Sequence, residues 1–467
     1  MKPTALEVDY LIVGAGAMGM AFADTLITET NATVAIVDRY DQPGGHWTVS
    51  YPFVRLHQPS AFYGVNSREL GSGTVDQHGW NAGMHELASA SEILAYFNQV
   101  MHKTLLPSGR VSYFPKSCYD GPDPQRPDVQ RFHSIVSGDR FEVTVKQRTV
   151  DATYMNVTVP AMVPPGYEVA PDVRVITPNQ LPALQDKPAH YTVVGAGKTG
   201  IDACLWLLGH GTDPSDITWI MPRDSWLLDR AHWQPGRHDA ETEAARLNAV
   251  AEANTVQELF ARLEDSGVLL RLSPDVEPTA FRCATVARAE LDQLRRIDNI
   301  VRHGRIKRID AHAIELDQAT VPAQAGTLYI NCTADGLERR PTVPVFDGPR
   351  ITLQAVVPCQ QVFSAALVAH VEASDVDDAT KNVQCPPAQH PNSALDWIQF
   401  FGDVQERVMR WTADPALLEW LRDCRLMGRK LPEFSPEQRA ALLPMFQAQK
   451  VKLAEFRDQA NAVAAVN

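Results

Sequence analysis

The sequence predicts an α/β fold with two similar strand–turn–helix–strand units, the second inserted into the first, and a helical region closing the chain. Three observations carry this. A short apolar strand runs into a glycine-rich turn and a helix twice, near residues 8–37 and 191–221. Strand-like stretches flank the second occurrence on both sides, as they would if it interrupted a larger unit. From about residue 394 apolar residues recur at helical spacing, with Trp397, Phe400, Phe401, Val404 and Val408 on one stripe.

The first unit opens on Val8–Val13, followed by Gly14-Ala15-Gly16-Ala17-Met18-Gly19. Met18, Phe22 and Leu26 then mark one helical face, and Thr33–Val37 is the next strand, ending at Asp38. Each glycine has a task in a Gly-x-Gly-x-x-Gly turn. Gly14 makes the tight bend, Gly16 lets backbone approach a pyrophosphate, and Gly19 allows the helix to pack closely on the strand. The helix N-terminus offers unpaired N–H groups and positive potential to phosphates. Asp38 lies where a carboxylate can accept hydrogen bonds from ribose hydroxyls. The second unit repeats the pattern in Gly195-Ala196-Gly197-Lys198-Thr199-Gly200, but its next strand ends in Met221-Pro222-Arg223-Asp224. Arg223 suits a ribose 2′-phosphate, which favours NADP over NAD, or else pairs with Asp224 at the surface. Both units therefore read as Rossmann-like dinucleotide-binding domains.

Between them the sequence suggests a helix at about 91–104, strands at Phe141–Val145 and Tyr154–Val159, and a connector rich in proline from Pro160 to Pro182. Residues 238–298 look helical and charged, and 300–332 return to strand character. The expected division is 1–160 with 301–375 as a discontinuous first domain, 161–300 as the inserted domain, and 376–467 as the C-terminal helical region.

The balance of 43 Lys+Arg against 56 Asp+Glu, a formal net charge of -13, argues against a nucleic-acid binder, which needs a basic surface. No window approaches the roughly 20 apolar residues of a transmembrane helix, and the N-terminus has no signal-peptide pattern, so no membrane span and a cytoplasmic location are expected. The seven cysteines (Cys118, Cys204, Cys283, Cys332, Cys359, Cys385 and Cys424) show no CxxC pair and no Cys/His spacing for zinc. They read as reduced, mostly buried thiols with no metal site. A redox-active thiol pair is not expected, which counts against a disulfide reductase.

On these motifs the chain resembles the flavoproteins with two dinucleotide-binding domains, and within them the class B flavoprotein monooxygenases (flavin-containing, N-hydroxylating and Baeyer–Villiger types). Gly44-Gly45-His46-Trp47 is similar to the family's Gly-Gly-x-Trp, and Tyr51-Pro52-x-x-Arg55 to its segment beside the flavin. Asn331-Cys332-Thr333-Ala334-Asp335 stands where the family's final flavin-domain strand ends. The resemblance implies FAD on the first domain, held by Gly14, Gly16, Gly19, Asp38, Arg39, Gly45, His46, Trp47, Arg55 and Asp335. It implies NADP(H) on the second, held by Gly195, Gly197, Lys198, Thr199, Gly200 and Arg223. The implied chemistry is hydride transfer to FAD, a C4a-peroxyflavin and oxygenation of a small organic substrate with O2, with Arg55, His57 and Arg282 as candidate catalytic residues. A homodimer is compatible with this.

The departures are specific. The fingerprint FxGxxxH is absent over Val173–Leu181, His57 replaces an aspartate, and Arg282 lies about two residues out of register. A flavoprotein reductase or dehydrogenase without oxygenation, and a non-catalytic dinucleotide sensor, stand as the alternatives.

Overall fold

The computed structural model describes residues 3–235, 240–334, 336–428 and 435–466. Strand β1 (Thr4–Val13) leads through the first glycine turn into α1 (Ala17–Glu29) and the fully buried β2 (Val34–Val37). A small hairpin, β3 (Gly64–Val65) with β4 (Arg68–Glu69), precedes α2 (Ala90–Val100). The start of α2 is fixed by a capping box: Glu92 donates its N–H to the Ser89 hydroxyl and accepts the Ser89 N–H. Strand β5 (Val111–Phe114) follows, then the meander β6 (Ser117–Asp123), β7 (Arg126–Ser134) and β8 (Arg140–Asp151).

The chain then crosses into the second unit. This holds β9 (Glu168–Val169), β10 (Val175–Ile176), β11 (His190–Val194), α3 (Lys198–Gly209), β12 (Ile217–Ile220) and β13 (Ser225–Asp229). Helices α4 (Ala240–Glu252) and α5 (Val256–Asp265), strands β14 (Leu269–Leu270) and β15 (Ala280–Val286), and α6 (Arg288–Leu294) form its outer part. It closes with β16 (Ile300–Val301), β17 (Ile306–Ile309), β18 (Ala313–Leu316), β19 (Thr320–Pro322) and β20 (Thr327–Asn331). The chain returns to the first unit with β21 (Phe346–Asp347), β22 (Arg350–Thr352) and α7 (Gln361–Glu372). Helices α8 (Asp378–Gln384), α9 (Ala394–Ala413), α10 (Pro415–Asp423) and α11 (Pro436–Val466) complete it.

The first sheet runs β5-β2-β1-β8-β22-β21, with the first five strands parallel. The second runs β16-β12-β11-β20-β10 and is parallel throughout. In each, the strand before the glycine turn lies central, with the next strand on one side and later strands on the other (β8 and then β22 in the first sheet, β20 in the second), as in a dinucleotide fold. Helix α7 packs beside α1 under the first sheet, and both are almost wholly buried.

Three sequence expectations change. Strands β16 and β20 pair into the second sheet, and β17–β19 between them form a separate sheet with β9, so the boundary placed at 301 moves to after Asn331, and Thr327–Asn331 is not the last strand of the first unit. That strand is β22. Residues 154–159 form no strand, and the backbone turns left-handed at Asn156, φ 39°. The 238–298 stretch is helical only in part, because β14 and β15 run through it. The aromatic stripe of α9 is packing: Trp397 is buried against Phe260 and Phe281 and stacks on Phe401.

Candidate active site between the two nucleotide folds

The two glycine turns are built alike. Gly14 has φ 105° and Gly195 φ 119°, a region that L side chains rarely adopt. A Cβ on Gly19 would stand 2.0 Å from the Gly14 carbonyl oxygen, and one on Gly200 2.0 Å from that of Gly195. Both helices therefore rest directly on their turns. Their N-caps, Gly16 and Gly197, supply no side-chain cap, and neither first turn carries an acidic residue. The first N–H groups of α1 and α3 are thus left to an anion. A Cβ on Gly197 would meet nothing within 4 Å, and one on Gly16 only the Gly45 Cα at 3.6 Å. Glycine faces glycine there because the Gly44 N–H donates to the Ala15 carbonyl at 2.9 Å.

Around the first turn, Asp38 is buried at the end of β2. Its carboxylate accepts the Ala15 N–H, and the Tyr40 N–H at 2.7 Å, so it braces the turn. Burial pushes this carboxyl up, against those hydrogen bonds. Arg39 is exposed and lies over the Tyr40 ring. Trp47 donates its indole N–H to the Tyr63 hydroxyl at 2.7 Å, and burial alone pushes the neighbouring His46 imidazole down to about 4. Asp335 lies outside the described residues.

The units meet at the second turn. Tyr51 donates its hydroxyl to Asp202 at 2.7 Å, and Asp202 is ion-paired with Lys198 one turn earlier on α3. Burial pushes the Asp202 carboxyl up, opposed by Lys198 and Tyr51. Thr199 lies beside the same phenol. Lys198, expected as a phosphate ligand, is thus already committed to Asp202. Asp202 and Tyr51 were legible only as parts of motifs, with no signal for their contact.

His57 sits at the same junction. Its Nδ1 accepts the Thr285 N–H at 3.2 Å, so Nε2 carries the proton, and its carbonyl accepts from Arg230 Nε at 3.0 Å. Burial, helped by nearby Lys198, Arg230 and His390, pushes the imidazole down to about 3. Held by these bonds and by burial, the His57 ring favours its neutral form. Arg230, 2% exposed, also donates to Asn81 Oδ1 at 3.0 Å and to Glu290 at 2.8 Å. It pins both units together.

Arg55 and Arg282, the two arginines among the candidate catalytic residues, share no hydrogen-bond partner among the described residues. Arg55 is exposed, its backbone bridged to Ser89, and its guanidinium makes no hydrogen bond among the described residues. Arg282 is exposed on β15 and donates through Nε to Asn392 Oδ1 at 2.8 Å. Arg223 donates to that same oxygen at 3.1 Å. Two guanidinium groups therefore converge on one neutral amide. Asp224 is not Arg223's partner, since Arg302 takes its carboxylate in bonds of 2.7 and 3.0 Å. The thiols also differ from expectation: Cys283 and Cys359 form a disulfide, with His390 Nε2 3.6 Å from the Cys359 sulfur. Their separation of 76 residues leaves no spacing signal.

The two depressed histidines make stability pH-dependent. Above their unfolded value of about 6.5 neither state is protonated, and nothing is lost. Below it the unfolded chain binds protons that the fold refuses, so stability falls with pH until about 4 for His46 and about 3 for His57. Each contributes at most about 1.4 kcal/mol per pH unit. Urea midpoints at pH 7.5, 6 and 5 should fall progressively, and His57→Asn should flatten the slope. An unchanged slope would show that His57 takes up its proton in the fold.

A family model for an NAD(P)-binding Rossmann-like domain matches residues 12–65. The Mycobacterium tuberculosis (strain ATCC 25618 / H37Rv) protein named "Uncharacterized protein Rv2000" is 52% identical over 450 residues, which cover 95% of this chain and 82% of that one. Among solved structures, an open form of cyclohexanone monooxygenase matches at 13% identity and a TM-score of 0.50, over 81% of this chain and 92% of that one. An oxidized steroid monooxygenase bound to NADP matches at 14% identity and a TM-score of 0.50, over 81% and 90%. These two share the fold described above. Among the described residues no helix is long and apolar enough to cross a membrane.

Proposed function

The chain belongs to the family of the mycobacterial protein Rv2000, and on that premise we propose that it is an FAD- and NADP(H)-dependent oxidoreductase, a monooxygenase of small organic molecules that uses O2. The observation that carries this is the pair of uncapped glycine turns joined across the Tyr51–Asp202 hydrogen bond. FAD fits the first turn. The Gly16 surface is bare of side chains, Gly45 faces it, and the α1 N–H groups await an anion. NADP(H) fits the second, where Gly197 is open and Arg223 with Arg282 mark a place for a 2′-phosphate.

The chemistry these groups supply when bound is hydride transfer from nicotinamide to flavin and reductive activation of O2. The chain's own residues hold and orient them. Tyr51, Asp202 and Lys198 clamp the 44–57 segment against the start of α3, so that both turns open on one interface. Thr285 holds the His57 ring in one tautomer and Arg230 anchors its backbone carbonyl at that interface, so that its Nε2–H is a donor rather than a charge. On this reading Arg282 acts beside Arg223, with which it shares the Asn392 amide oxygen, rather than on the oxygen side of the flavin.

The purified protein should carry flavin, bleach with NADPH under anaerobic conditions, and couple NADPH use to an oxygenated product from a substrate panel. A flavin-free protein with no affinity for FAD would overturn the proposal, and oxidation of NADPH without any oxygenated product would reduce it to a reductase. Arg223→Ala should raise KM for NADPH roughly 10- to 150-fold, one charge-assisted bond being worth about 1.5–3 kcal/mol, and leave NADH nearly unchanged. Equal effects on both coenzymes would remove Arg223 from the phosphate.

A further inference from the structure

One cluster at the interface has no part in nucleotide binding. Cys283 lies on β15 of the second unit and Cys359 just before α7 of the first, so their bond, with Cα atoms 6.6 Å apart, ties the two units covalently. His390 approaches from the segment before α9. Its Nδ1 lies 3.1 Å from the Pro391 carbonyl, which can only accept, so Nδ1 carries the proton and the Nε2 lone pair faces the Cys359 sulfur. Cys283 is buried, whereas Cys359 is half-buried, so Cys359 is the more open residue of the pair. Burial, with Arg282 and the Asp396-paired Arg339 nearby, disfavours the charged form of His390. Elsewhere, burial pushes the thiols of Cys204, Cys332, Cys385 and Cys424 up, which leaves them inert.

We infer that Cys283, Cys359 and His390 form a thiol–disulfide exchange centre spanning the two units, whose substrate is a dithiol. A thiolate of the dithiol attacks Cys359 Sγ, the bond to Cys283 breaks, and Cys283 leaves as a thiolate that takes up a proton. The second thiol of the reductant, deprotonated, then attacks its own mixed-disulfide sulfur and releases Cys359. Two electrons and two protons pass to the pair, and the dithiol becomes a disulfide. In the oxidising direction His390 Nε2 accepts the Cys359 thiol proton, so that Cys359 is the attacking sulfur and Cys283 the one that resolves. Closing the bond adds a covalent tie between the units to the Arg230 and Tyr51–Asp202 contacts, and opening it leaves those contacts alone to hold them. None of this depends on the nucleotide assignments.

The test is differential alkylation of the folded full-length chain, followed by mass spectrometry. After oxidised dithiothreitol, five of the seven cysteines should react with maleimide on denaturation, and the Cys283–Cys359 crosslink should appear in the peptide map. When the folded chain is first reduced with dithiothreitol without denaturant, then freed of the reductant and denatured with maleimide present, all seven should react. His390→Gln should slow the oxidation of the pair about tenfold, the effect of one pKa unit on thiolate fraction, and shift its pH profile. Cys283→Ser should trap glutathione on Cys359 when treated with oxidised glutathione, and Cys359→Ser should not trap it on Cys283. Reduction only after unfolding would make the bridge structural and overturn the inference. So would full alkylation after the oxidant, or one equivalent of zinc that is lost in Cys359→Ser, which would mark a metal centre instead. The assay needs neither flavin nor NADPH, so its failure leaves the oxygenase proposal untouched.

Discussion

Gly19→Ala is expected to cost the first unit its stability, while Gly16→Ala costs it only its ligand. At Gly19 the new methyl carbon would lie 2.0 Å from the Gly14 carbonyl oxygen, a backbone atom that no rotamer change can move aside. Helix α1 must lift off its turn, and because α1 packs on α7 under the first sheet, the core opens with it. Overpacking of this kind costs about 3 kcal/mol or more. Gly16 is different. Its φ of -71° suits alanine, and its Cβ would meet only the Gly45 Cα at 3.6 Å. Exchanging one weak N-cap for a poorer one costs about 1 kcal/mol at most. The methyl nonetheless occupies the surface that a pyrophosphate must approach. Thermal unfolding and visible absorbance of the purified variants separate the two effects. If Gly16→Ala retains full flavin, the first turn is not its site. A Gly19→Ala protein that melts like the parent would mean that the turn relaxes without cost.

The second large effect is expected at Arg230. Arg230→Met should destabilise the protein by about 3–5 kcal/mol, the cost of stranding a buried charge partner. Its guanidinium is 2% exposed and reaches the His57 carbonyl, Asn81, Thr285 and Glu290, so removal orphans groups on both units at once. Glu290 is the partner left charged. Adding Glu290→Gln to Arg230→Met should therefore recover part of the loss, and the double-mutant cycle by urea denaturation should show coupling above about 1 kcal/mol. Additive losses would mean that the ion pair contributes nothing beyond packing.

The sequence made the two turns legible because everything they need is local. A strand, three glycines at fixed offsets and an apolar helical face lie within thirty residues each. What it hid was pairing at long range. Thr327–Asn331 is an apolar strand that fits either sheet by pattern, and only its register beside His190–Val194 assigns it to the second. Arg282 looked like an oxygen-side residue on position alone, yet its acceptor Asn392 lies 110 residues further on. The thiol pair escaped for the same reason. Spacing rules find cysteines that share a turn, whereas Cys283 and Cys359 are joined by a sheet in one unit and a helix start in the other. The burial of Arg230 likewise depends on distant segments arriving together, at His57, Asn81 and Glu290.

The insertion also sets an order of assembly on the ribosome. All strands of the second sheet lie within residues 175–331, so that unit can close as soon as it has emerged. The first unit cannot. Its strands β1 to β8 are made early, but β22 and α7, which cover the end of β8 and the inner face of α1, arrive some two hundred residues later. At about 5–20 residues per second, the apolar face of α1 waits roughly 17–70 s for α7, which ends more than three hundred residues after it. During that interval the nascent N-terminal half presents Met18, Phe22 and Leu26, all buried in the finished protein, and a chaperone that binds apolar segments has its window there.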